Sequence, residues 1–172
     1  MITKPIHYNH LGQSVQQALT TQENTSPQPT DRSQSAYKVD FARQYPLQIL
    51  IAEDNPINVK LLVRVLNKLG YSPTVANNGQ EVLLRLHEEF DLILMDIQMP
   101  EMDGLEATRL IRQQAIRQPW IIALTADAML EDRELCLAAG MNDYMSKPPV
   151  LSQLTKSLQQ VSLMSRNRDV PV

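Results

Sequence analysis

The sequence predicts an α/β domain built on a doubly wound, five-stranded parallel sheet with five helices, and three observations carry that prediction. From Leu47 onward, short apolar runs alternate with amphipathic stretches, the texture of repeated strand and helix units. Runs such as Ile93-Leu94-Met95 and Ile121-Ile122-Ala123-Leu124 are apolar without alternation, as expected when helices cover both faces of a sheet. No internal repeat or low-complexity block interrupts residues 47–161. A chain of 172 residues with 43% hydrophobic residues can fill one sizeable core, so one domain with appendages is expected.

Residues 1–46 read as an N-terminal extension or linker. Up to residue 40 they are rich in Gln, Thr, Ser and Pro, centred on Ser26-Pro27-Gln28-Pro29, and point to a disordered or loosely attached segment. A short helix over Leu11–Leu19 is compatible with Leu11, Val15, Ala18 and Leu19 sharing one side, but a lone helix of that length is marginal in water. In the domain, strands are expected at Gln48–Ala52, Ser72–Ala76, Leu92–Met95, Trp120–Leu124 and Asp143–Ser146. Helices are expected at Asn58–Leu69, stopped by Gly70; Gly79–Glu89, capped by Asn78; Leu105–Gln114, after Gly104; Met129–Ala139, stopped by Gly140; and Leu151–Val161, with Leu at 151, 154 and 158. Residues 162–172 read as a frayed C-terminal tail.

Composition narrows the function classes. The net charge of -3 is mild and argues against a nucleic-acid surface. Residues 1–46 hold four basic and three acidic residues, a net of +1, so residues 47–172, with twelve basic and sixteen acidic, carry -4. The single cysteine, Cys136, cannot form an internal disulfide and reads as a small buried apolar residue. No apolar stretch approaches the roughly 20 residues that span a bilayer, and nothing in Met1–His10 marks the chain for export, so the cytoplasm is the expected location.

In an open parallel sheet, ligands bind outside the carboxyl ends of the strands. Here those ends carry Glu53-Asp54, Asp96, Thr125 and Lys147. Singly, each is also explained as a helix cap or a solvated charge; on one rim, three carboxylates, a hydroxyl and an ammonium converge. Carboxylates so close repel one another unless a cation neutralises them, and hard oxygen ligands suit Mg²⁺. Such an ion bridges to a phosphoryl group, with Lys147 as a second positive charge and Thr125 as a hydrogen-bond donor. Asp96, alone at the end of a central strand, is the best placed nucleophile for an acyl phosphate. His7, His10 and His87 have no partner at metal or catalytic spacing.

At these positions the sequence resembles the receiver-domain family of two-component signalling. The matching segments are Ile49-Leu50-Ile51-Ala52-Glu53-Asp54-Asn55, Leu94-Met95-Asp96-Ile97-Gln98-Met99-Pro100-Glu101-Met102-Asp103-Gly104, Ala123-Leu124-Thr125-Ala126 and Gly140-Met141-Asn142-Asp143-Tyr144-Met145-Ser146-Lys147-Pro148. The resemblance implies a flavodoxin-like fold of strand order 2-1-3-4-5, Asp96 as phosphoacceptor, and Asp54 and Asp96 as direct Mg²⁺ ligands. It further implies that Glu53 acts through water, that the backbone carbonyl of Gln98 completes the ligand set, and that the Lys147–Pro148 bond is cis. Thr125 and Tyr144 become a switch pair, altering the face made by helix 129–139, strand 143–146 and helix 151–161. Gln98 and Asp127 lie where the family varies its dephosphorylation rate.

The lead-in Phe41-Ala42-Arg43-Gln44-Tyr45-Pro46-Leu47 and the run Ala52–Asn58 are similar to receivers attached to hybrid histidine kinases. The implied donor is a phosphohistidine, in a kinase or a histidine phosphotransfer domain. Within this chain no phosphodonor helix, ATP-binding domain or DNA-binding output is expected. The expected function is a phosphoacceptor switch that catalyses only its own phosphorylation and dephosphorylation. An aspartyl-phosphate phosphatase wants a second carboxylate two residues past the nucleophile, where Gln98 stands, and a constitutive interaction module would not need the full acidic set. Eight of the thirteen residues Ile57–Leu69 are apolar, more than one sheet-covering stripe requires, so Ile57 and Leu61, with Pro148, are expected to form an exposed docking patch.

Overall fold

Alternate residues of each strand face opposite sides of a sheet, and in this chain both sides are apolar. Ile49 and Ile51 enter one core with Leu92, Leu94, Ile122 and Leu124, while Leu50, Ala52, Ile93, Met95, Ile121 and Ala123 enter the other. A strand buried on both faces needs a helix layer on each, and that is the architecture found. The computed structural model describes residues 41–115, 117–126 and 130–168, with no account of the side chains of 130, 131 and 168.

In chain order the elements are α1 (Phe41–Gln44), β1 (Ile49–Ala52), α2 (Pro56–Lys68), β2 (Thr74–Ala76), α3 (Gly79–Leu84), a single 3₁₀ turn (Leu86–Glu88), β3 (Leu92–Asp96), α4 (Gly104–Gln114), β4 (Trp120–Thr125), α5 (Leu130–Ala139), β5 (Asp143–Ser146) and α6 (Leu151–Arg168). The five strands are parallel in the order β2-β1-β3-β4-β5, as the resemblance implied. Leu62 and Leu66 of α2, with Leu154, Leu158 and Val161 of α6, close one face. Val82 of α3, Ala107 and Ile111 of α4, and Cys136 of α5 close the other. Removing a side chain such as Leu66 costs about 2–5 kcal/mol, transfer and cavity terms together.

The caps are those the sequence offers. Asn55 accepts from the Ile57 amide at 2.9 Å ahead of Pro56; Asn78 accepts from Glu81 at 2.8 Å and Asp103 from Glu106 at 2.7 Å. Gly140 ends α5 at φ 103, a left-handed backbone that side chains other than glycine resist.

Four elements differ from expectation. β2 starts at Thr74 rather than Ser72 because Pro73 has no amide for the ladder. The helix expected over Gly79–Glu89 ends at Leu84, tightens into the 3₁₀ turn and reverses at Glu89 (φ 54), which sends Phe90 into the core at 4% exposure. The last helix runs seven residues beyond Val161, to Arg168, where a frayed tail was expected, and Ser162 is buried in it. A sixth helix, α1, lies in the stretch read as linker. Its amide of Ala42 donates to Leu69 O at 3.0 Å, and Phe41 and Ala42 pack on the core. The predicted helix at Leu11–Leu19 lies outside the described residues.

Residues 44–46 explain the longer last helix. Arg166 Nη2 donates to Gln44 O at 2.6 Å, Gln159 Nε2 to Tyr45 Oη at 2.9 Å and Ser162 Oγ to Pro46 O at 3.4 Å. Tyr71 Oη donates to Tyr45 O at 2.6 Å, while Phe41 packs on both tyrosine rings. Burial first, and the Tyr45 phenol second, hold the Tyr71 hydroxyl well above the ordinary tyrosine range.

Candidate functional site

Glu53, Asp54, Asp96, Thr125 and Lys147, the residues singled out by their places at strand ends, and Gln98, which the resemblance added, all line one open cleft of about 330 Å³ at the carboxyl edge of the sheet. Strand register puts them there. Ala52 pairs with Met95, Asp96 with Leu124 and Thr125 with Ser146, so β1, β3, β4 and β5 end at one level. The Lys147 amide donates to Thr125 O at 2.7 Å, which ties the last two strand ends together. The Lys147–Pro148 peptide bond is cis, as expected.

Asp96 is the last residue of β3 and 4% exposed. Its Oδ2 lies 2.6 Å from Lys147 Nζ, and its Oδ1 accepts from the Gln98 amide at 3.1 Å. Burial pushes the Asp96 carboxyl above its ordinary range; Lys147 and the Gln98 amide pull it back, and nearby Glu53 adds to the rise. The approach of α4 is close here: a Cβ on Gly104 would run into the carbonyl oxygen of Asp96, so this turn accepts only glycine.

Glu53 is 1% exposed, and its two oxygens have different surroundings. Oε1 accepts from the Asn55 amide at 3.2 Å and from Asn58 Nδ2 at 3.1 Å. Oε2 lies 2.9 Å from Lys147 Nζ, an ion pair whose angle falls short of hydrogen-bond geometry, so this buried oxygen has charge compensation but no hydrogen bond. Asp54 is exposed. Carboxylate oxygens of Glu53, Asp54 and Asp96 all lie within 4.8 Å of one another, an oxygen donor set that fits a small divalent cation.

Thr125 closes β4 at 5% exposure. Tyr144 does not line the cleft; it is half-buried against the core on the α3–α5 side, with the Arg133 guanidinium 5.4 Å from its ring centre. His87 stands at the surface, its Nδ1 2.8 Å from Leu84 O, and Cys136 is buried as expected. His7, His10 and Asp127 lie outside the described residues. Asn58 and Asp132 also line the cleft and had no role in the sequence reading. The signal for Asn58 was its place four residues past Asp54, in the first turn of the helix that follows the strand end.

On α2, Ile57 and Leu61 are 76% and 42% exposed, and Leu61 lines a small cleft with Pro148. No helix among the described residues is long and apolar enough to cross a membrane.

Comparison with known proteins agrees with this geometry. The sequence model of the response regulator receiver domain matches residues 49–159. Histidine protein kinase 1 of Candida albicans is 41% identical over 136 residues, covering 72% of this chain and 6% of the kinase. Hybrid signal transduction histidine kinase H of Dictyostelium discoideum is 43% identical over 131 residues, covering 73% of this chain and 9% of the kinase. The chain thus spans less than a tenth of either relative. Among solved structures, the receiver domain of sensor histidine kinase PA1611 from Pseudomonas aeruginosa, with a magnesium ion coordinated in its active-site cleft, superposes with a TM-score of 0.62 at 41% identity, covering 67% of this chain and 97% of that one. The Saccharomyces cerevisiae receiver domain of Ssk1, crystallised with the histidine phosphotransfer protein Ypd1, gives a TM-score of 0.64 at 35% identity, covering 69% of this chain and 90% of the other.

Proposed function

The chain belongs to the response regulator receiver domain family, and we propose from that premise that it works as a phosphorelay switch in which Asp96 takes a phosphoryl group from a phosphohistidine donor. The observation that carries the reading is the Asp96 carboxylate itself. It ends the central strand in an open cleft, with Lys147 at 2.6 Å and two further carboxylates beside it.

In the transfer, an Asp96 oxygen forms a bond to phosphorus while the bond from phosphorus to the donor imidazole breaks, its nitrogen keeping the electron pair. Lys147 neutralises charge on the phosphoryl oxygens, and the Thr125 hydroxyl donates to one of them. Return to the resting state is attack of water on phosphorus, which releases phosphate and the Asp96 carboxylate. The chain acts on no other substrate. Asp54 and Asp96 would hold Mg²⁺ directly, with Glu53 through water and the Gln98 carbonyl completing the protein ligands. The buried Glu53 Oε2, which lacks a hydrogen bond, fits a water-mediated place in that set. The bound ion supplies charge neutralisation to the carboxylates and the incoming phosphoryl group.

The donor we assign is a histidine kinase or a histidine phosphotransfer domain, in keeping with the Ypd1 complex of the Ssk1 receiver and with the hybrid-kinase relatives. It docks on the exposed Ile57, Leu61 and Pro148. Residues 1–40 then serve as extension or linker and 41–168 as the receiver, with the short first helix and the last turns of α6 packed as part of it, in the cytoplasm, where a lone cysteine stays reduced. The test is incubation with a small acyl phosphate and Mg²⁺, read by intact-mass spectrometry. One phosphoryl group is expected on the wild type and none on Asp96→Asn or with the metal chelated; labelling of Asp96→Asn would sink the assignment.

A further inference from the structure

The carboxylate at the end of β1 is a glutamate, one methylene longer than the aspartate that follows it, and a longer arm has one more torsion to fix before its oxygens can face a fixed point. The structure fixes it from one side. Both hydrogen bonds to Glu53 fall on Oε1, one from the Asn55 backbone at 3.2 Å and one from the Asn58 side chain at 3.1 Å, which leaves Oε2 toward Lys147 without a hydrogen bond. A carboxylate only accepts, so the amide of Asn58 must present its NH₂. Asn58 is held in turn by the start of α2, where the Asn55 side chain caps the Ile57 amide and Pro56 sets the first helical residue. It lines the same cleft as Asp54 and Asp96, yet being neutral it adds no fourth negative charge to the cluster.

We propose that Asn58 is a positioning residue for the cation site: it anchors Glu53 Oε1 so that Oε2 is presented to a divalent ion or to the water on it. The inference rests on the reading of the cleft as a Mg²⁺ site. Partners that orient a direct ligand typically change metal affinity by tenfold or more when removed; about tenfold, the low end of that range, is the loss expected for Asn58, whose partner Glu53 reaches the ion through water. The longer arm defines the dependence. An aspartate at position 53 would end about one carbon–carbon bond, roughly 1.5 Å, short of Asn58, so Asn58 matters only while position 53 is Glu.

A double-mutant cycle on the full chain tests this, with Mg²⁺ alone as the probe and backbone amide NMR shifts as the readout. Asn58→Leu in the wild-type background is expected to weaken Mg²⁺ binding about tenfold. In the Glu53→Asp background the same substitution is expected to change it less than about twofold, the scatter of uncoupled sites. Melting curves without metal check that each variant folds, and Asn58→Ser, smaller and with a hydroxyl too short to reach, repeats the cycle if the leucine variant does not. Unchanged affinity in the Asn58 variant overturns the proposal, as does an equal loss in both backgrounds. A wild type that shows no saturable Mg²⁺ response overturns the reading of the cleft itself, and the role of Asn58 falls with it.

Discussion

Lys147 Nζ, on the loop after β5, lies 2.6 Å from Asp96 Oδ2 at the end of β3, so one ammonium closes the gap across β4 between two non-adjacent strands. The same ammonium is 2.9 Å from Glu53. It therefore stands for the positive charge that two buried carboxylates require, and any cation entering the cleft competes with it for the same oxygens.

That competition gives the first prediction. Lys147→Met leaves Glu53 and Asp96 facing each other without a cation, which lowers metal-free stability by about 1–3 kcal/mol. It also removes the positive charge that opposes metal entry. The gain in unfolding free energy on adding Mg²⁺ should then exceed the wild-type gain by about 1–2 kcal/mol. Urea unfolding with and without Mg²⁺ measures both; a smaller Mg²⁺ gain in the variant contradicts the competition.

A second prediction separates docking from chemistry. Ile57 and Leu61 are exposed, and neither is among the buried residues of α2, which are Leu62 and Leu66. Ile57→Asp and Leu61→Asp should change stability by less than about 0.5 kcal/mol. Labelling of Asp96 by a small acyl phosphate should be unaltered, while transfer from a phosphohistidine protein slows at least about tenfold, the order expected when one apolar anchor is lost. Equal slowing with both donors would place the defect in the cleft rather than on α2.

The strands and the site were legible in the sequence for the same reason. A sheet covered on both faces requires unbroken apolar runs such as Ile121–Leu124, and the first polar residue after each run marks the strand end where ligands meet. What stayed hidden depends on contacts between distant segments. The C-terminal turns of α6 read as frayed because Ser162 and Arg166 have no helical signal of their own; their partners, Pro46 O and Gln44 O, lie more than a hundred residues away. The early end of α3 follows from the burial of Phe90, a tertiary demand that outweighs a run of good helix formers. Asn58 stood in the matching text, but nothing local said that its amide faces Glu53.

The clamp around Tyr71 yields a pH prediction. Burial raises the folded-state pKa of Tyr71 above that of the unfolded chain, about 10. Above that pH the unfolded chain releases a proton that the folded one keeps, so stability is full below pH 10 and falls as pH rises through the folded-state value. Tyr71→Phe should lose about 1 kcal/mol at pH 7.5 with the bond to Tyr45 O. Its stability should then decline less than the wild type's between pH 9 and 11. Parallel declines in denaturant titrations would assign the alkaline sensitivity to another group.

The last prediction concerns the path from Asp96 to a changed surface. A phosphoryl group brings roughly two negative charges to the rim, and Thr125, at the end of β4, is the hydroxyl that meets it. Its carbonyl is already tied to the Lys147 amide, so a shift of this residue is felt on the adjoining strand. Ala123, two residues before Thr125, pairs with Tyr144, whose half-buried ring packs against the core beneath Arg133 of α5. Movement of Thr125 toward the phosphoryl oxygens should vacate space for that ring, and a ring that turned inward would leave Arg133 and reshape the face of α5, β5 and α6. Thr125→Ala keeps Asp96, Lys147 and the carboxylate cluster, so it should still accept phosphate. Its amide shift changes at Tyr144 and along α5 on phosphorylation should fall to less than about half of the wild type's, since the variant cannot form the single hydroxyl bond, worth about 1 kcal/mol, that drives the shift. Equal shifts in both proteins would leave Asp96 as the acceptor and remove Thr125 from the route to Tyr144.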